Sequence, residues 1–60
     1  MPATREVIKH YIDSINEEGR GLSPWEVQFV EGISDRFERG GGLSEKEETI
    51  LERIYSERTP

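Results

Sequence analysis

The stretch Leu22-Ser23-Pro24-Trp25-Glu26-Val27 does most to limit what this chain can fold into, because it holds a nearly complete set of helix-start signals and the single tryptophan. Ser23 is placed to act as N-cap. Pro24 stands at the first helical position, where its missing N–H costs nothing, and Glu26 can reach back to the N–H of the cap residue, forming a capping box. Leu22 before the cap and Val27 at the fourth helical position have the spacing of a hydrophobic staple. A weaker copy, Leu43-Ser44-Glu45-Lys46-Glu47, follows 21 residues later, with Glu48 where the staple would need an apolar side chain. The two copies extend to Leu22-Ser23-x-x-Glu26-x-x-Phe29-Val30-Glu31-x-Ile33 against Leu43-Ser44-x-x-Glu47-x-x-Ile50-Leu51-Glu52-x-Ile54. Any capped amphipathic helix obeys that pattern, and two copies fall below the three or more that a solenoid needs.

Around these starts the hydrophobic spacing predicts three helices, at about 4–18, 24–39 and 44–57. Residues 1–3 are expected to fray, and Thr4 to cap the first helix. Val7, Ile8, Tyr11, Ile12 and Ile15 fall within an arc of about 140°, as do Trp25, Phe29, Val30, Ile33 and Phe37 in the second helix. Ile50, Leu51, Ile54 and Tyr55 form a narrower stripe in the third. Gly19 is expected to end the first helix in a left-handed C′ conformation, and Gly40-Gly41-Gly42 to end the second and reverse the chain. So short a connection favours an antiparallel hairpin of the last two helices, with the first packing across it. The fold class is all-α, a single three-helix domain over residues 1–60.

Thirteen acidic residues against eight basic ones give a net charge of −5, spread evenly over the three helical segments. A phosphate backbone is gripped by clustered Lys and Arg, so direct nucleic-acid binding is not expected. A helix-turn-helix reading of the second and third helices meets the same objection, since Glu45, Glu48, Glu52 and Glu57 would face phosphates. There is no cysteine, and no apolar run approaches the roughly 20 residues of a membrane span. A cytoplasmic setting is expected, with no membrane and no cofactor.

Chemistry has few candidates. His10 shares a helix face with Glu6, Asp13 and Glu17, but the face points outward and lacks the paired Glu-x-x-His of a bundle metal site. A general acid and base pair needs a water-excluding cleft, which so small a core has little room to build, and no nucleotide loop or nucleophile motif is present. The chain reads as a non-enzyme. Gly32, inside a helix where glycine costs about 1 kcal/mol relative to alanine, is either tolerated or marks the close approach of another helix. Trp25 lies at the edge of the core stripe. Core is the default reading of Trp25, Phe29 and Phe37, and a patch offered to a partner is the alternative; the surface expected to meet a protein partner would then be Trp25, Gln28, Phe29, Gly32 and Arg36, with the acidity suiting a partner of basic surface and an uncovered apolar strip allowing a homodimer.

The pattern Leu22-Ser23-x-Trp25-Glu26-x-x-Phe29-Val30-x-x-Ile33, followed by Leu43-Ser44-x-Lys46-x-x-x-Ile50-Leu51-x-x-Ile54, resembles a short helical hairpin of small phage proteins that is also appended to phage and bacterial DNA-processing proteins. It covers residues 22–55, and Glu47 stands where that pattern often has glutamine. The resemblance implies a phage or bacterial accessory or inhibitor protein beside DNA-processing or defence machinery, and it brings no catalytic residue. A nucleic-acid-associated hairpin module and a purely structural homo-oligomer are the alternatives.

Overall fold

A computed structural model of the chain describes residues 4–60, so the expected fraying of residues 1–3 lies outside the described residues. Three helices make up the all-α fold: α1, Arg5–Glu18; α2, Pro24–Glu38; and α3, Glu45–Arg58. Each begins at the residue that the cap signals mark. The Thr4 hydroxyl accepts a hydrogen bond from the Val7 N–H, and both Ser23 with Glu26 and Ser44 with Glu47 form reciprocal capping boxes. A Ser→Ala change at such a cap costs about 1 kcal/mol.

The helix ends differ from one another. α2 ends at Glu38 with Arg39 as its C-cap, and the chain turns as expected at Gly40, whose φ of 88° is open to glycine at little cost. Gly40 N–H donates to the Phe37 carbonyl and Gly41 N–H to that of Arg36, the paired bonds of a Schellman turn. Gly19 departs from expectation. It is extended, with φ −65° and ψ 136°, and the left-handed residue of this turn is Gly21, with φ 71°. Gly19 is instead held by close packing: a Cβ there would stand 2.4 Å from the Ile15 carbonyl oxygen and 3.1 Å from Leu22 Cδ1.

Ile8, Ile12 and Ile15 of α1, Val30 and Ile33 of α2, and Leu51 and Ile54 of α3 form the buried core, with Tyr11, Leu22, Phe29, Phe37, Leu43, Ile50 and Tyr55 packed around it. Two stripe residues fall outside: Val7 is 39% exposed and Trp25 59%. Both sit at the margins of their arcs, where a third helix no longer covers them. The closest helix pair is α1 and α3, so the expected α2–α3 hairpin is not the most closely packed unit. The Arg20 N–H donates to the Arg58 carbonyl, tying the end of α1 to the end of α3. α2 is fastened by side chains: Arg36, late in α2, pairs with Glu47, early in α3, and Glu26, early in α2, pairs with Arg58, at the end of α3. Arg5 opens α1 over the Phe37 ring, 4.1 Å from its centroid, and donates to the Phe37 and Gly41 carbonyls. Its charge thereby sits at the negative end of the α2 dipole.

Candidate interaction surface

The capping box that starts α2 also decides where Trp25 goes. With Ser23 and Glu26 locked to each other and Glu26 buried, Trp25, one position earlier, is turned to the flank. Its ring stacks on Phe29, one helical turn on, with centroids 5.6 Å apart and planes 14° from parallel. Phe29 in turn packs against the core. The pair forms a shelf, anchored below and open above.

Gly32 continues the same flank. Nothing lies within 4 Å of where its Cβ would be, so no helix of this chain approaches it, and the glycine leaves a notch beside Phe29. Gln28 is exposed at the rim. Arg36 closes the row, its guanidinium held in a fork by the two carboxylate oxygens of Glu47 at 3.0 and 2.7 Å. The five residues expected at an interface thus share one flank of α2. The row contains no carboxylate, and its one charge is paired.

The remainder of the surface is acidic. Lys9–Asp13, Arg36–Glu47, Arg39–Asp35 and Arg58–Glu26 are the ion pairs among the described residues, which leaves nine of the thirteen carboxyl side chains without a cationic partner there. Glu26 is held below the usual carboxylate pKa by the Ser23 backbone N–H above all, with Arg58 assisting against the cost of burial. Glu47 is lowered chiefly by Arg36 and then by the Ser44 backbone. Asp13 holds the Lys9 ammonium above its ordinary value. These shifts belong to caps and surface pairs rather than to a cleft.

His10 contacts aromatic rings instead of carboxylates. Its Nε2 lies 3.2 Å from the Tyr55 hydroxyl, and Tyr55 packs on Tyr11 at 4.6 Å between centroids, seaming α1 to α3. Among the described residues no group of three or more His, Asp or Glu side chains is placed to hold a metal ion. Among the described residues no helix is long and apolar enough to cross a membrane. The burial of Glu26 and the reach of Arg5 to Phe37 have no local signal in the sequence, since both depend on a partner more than 30 residues away. Comparison with protein-family models, curated proteins and solved structures finds no match to this chain.

Proposed function

We propose that this chain is a non-enzymatic protein-interaction protein that docks the Trp25 flank of α2 on another protein chain. The observation that carries this reading is the stacked, largely exposed Trp25 on a Phe29 anchored to the core. Aromatic anchors set in a surface of small and polar residues are the usual centres of binding energy at interfaces. The unpaired carboxylates outside the flank suit a partner with a basic surface, whose approach they would steer. An accessory or inhibitor role in the cytoplasm, beside bacterial or phage DNA-processing machinery, accords with the helical-hairpin resemblance. The test is capture of partners on the immobilised wild-type chain beside Trp25→Ala. A protein retained by the wild type and lost by the variant supports the reading; retention equal on both contradicts it. Tight binding of DNA that weakens steeply with salt would favour the nucleic-acid alternative instead.

A further inference from the structure

We infer that the seam between α1 and α2 is a second docking site, and that its occupant is a basic amphipathic helix of a partner protein. The site lies on the flank of α2 opposite Trp25, so the inference goes beyond the reading of that flank and stands apart from it. The three seams of the molecule are not closed alike. α1 and α3 are joined by the Arg20–Arg58 backbone bond and by the His10–Tyr55 contact, and α2 and α3 by Arg36–Glu47 and Glu26–Arg58. Between α1 and α2, among the described residues, the polar ties stop at Arg5, which reaches the Phe37 and Gly41 carbonyls at one end. Beyond that end the seam opens into two hollows of about 300 and 260 Å³ that share Asn16. Ile15, Leu22, Val27 and Val30 line the first, and Ile12 and Phe37 the second.

Shape and charge together decide what fits there. Each hollow is open to solvent and no larger than the smallest small-molecule pockets, so the pair suits separate apolar side chains of one macromolecule. Val27, 40% exposed, has no cover from its own chain. The described residues hold no strand edge that an extended segment could join. Val27 and Ser34, one at each hollow, are two turns apart, about 10 Å along α2, and a helix laid beside α2 presents side chains at that interval. The rim fixes the sign of its charge. Glu31 stands at the first hollow and Glu38 at the second, both exposed and in no ion pair among the described residues. Across the seam Lys9 is already held by Asp13 at 2.6 Å. The rim thus sets three carboxylates against one engaged cation, which favours lysine or arginine flanking the apolar side chains of the occupant. A second copy of this chain, with its net charge of −5, is opposed by the same rim.

The probe that tests this is an end-capped helical peptide of about fifteen residues, leucine along one face and lysine over the other, beside the same peptide with glutamate in place of lysine. Followed by amide NMR of the isotope-labelled full chain, the lysine peptide is expected to bind with its largest shifts at Asn16, Val27 and Ser34, and less tightly as salt is raised. The glutamate peptide is expected not to bind. Glu31→Lys combined with Glu38→Lys should weaken the lysine peptide about tenfold or more. Glu52→Lys combined with Glu57→Lys changes the net charge equally at exposed positions of α3 and should weaken it about twofold at most. Circular dichroism checks that both variants keep the fold, and Trp25→Ala should bind the peptide as the wild type does. No binding at millimolar peptide, equal binding of the glutamate peptide, largest shifts at Gln28 and Gly32, or equal losses from the two pairs of substitutions overturns the inference. Capture of a protein that is lost with Trp25→Ala tests the other flank by itself, so either reading can fail while the other stands.

Discussion

At Gly32 a methyl group would meet open space, while at Gly19 it would stand 2.4 Å from a backbone oxygen. The same substitution therefore has opposite signs at the two sites. Gly32→Ala is expected to raise stability by about 1 kcal/mol through helix propensity alone, and Gly19→Ala to lower it, because the Ile15 carbonyl it would strike belongs to the last turn of α1. Urea melts of the two variants check this, and equal shifts would contradict it. Trp25 itself shows what sequence could and could not reveal. Its place at the edge of an apolar arc was legible; its exposure was not, because an arc does not say how far the neighbouring helices reach around it.

The helices were legible because their starts are written in adjacent residues: Thr4, Ser23 and Ser44 all cap where the local pattern requires. Ser44→Ala is expected to cost about 1 kcal/mol, lowering Tm by roughly 4–8 °C in a chain of this size. The way the helices come together was less legible, since Glu26–Arg58 and Arg36–Glu47 join residues of different elements. The same carboxylates, held by their capping boxes and by those pairs, tie stability to pH. The carboxyls of Glu26 and Glu47 lie below their ordinary value near 4.5, and unfolding returns them to it. Their contribution is thus whole above about that pH and is lost as pH falls through the folded values. Tm measured against pH should fall on the acid side, and Glu26→Gln or Glu47→Gln should flatten that limb; an unchanged slope in both variants would show that these two carboxylates carry none of it.

Over the whole molecule, sixty residues give a stability of only about 3–9 kcal/mol. Leu51 is fully buried at the centre of the three helices. Leu51→Ala, at about 2–5 kcal/mol, should therefore leave much of the population unfolded at 37 °C by circular dichroism, whereas Trp25→Ala should leave the helical signal intact. The proposed interface requires that the largest aromatic side chain stay out of the core. The emission of Trp25, the single tryptophan, reads that directly. In dilute solution it should peak in the red, as a solvated indole does, and move to the blue when a protein captured by the wild type but not by Trp25→Ala is added. A blue, concentration-independent maximum from the dilute monomer would mean that the ring is packed within its own chain, and would contradict the assignment of the α2 flank as an interface.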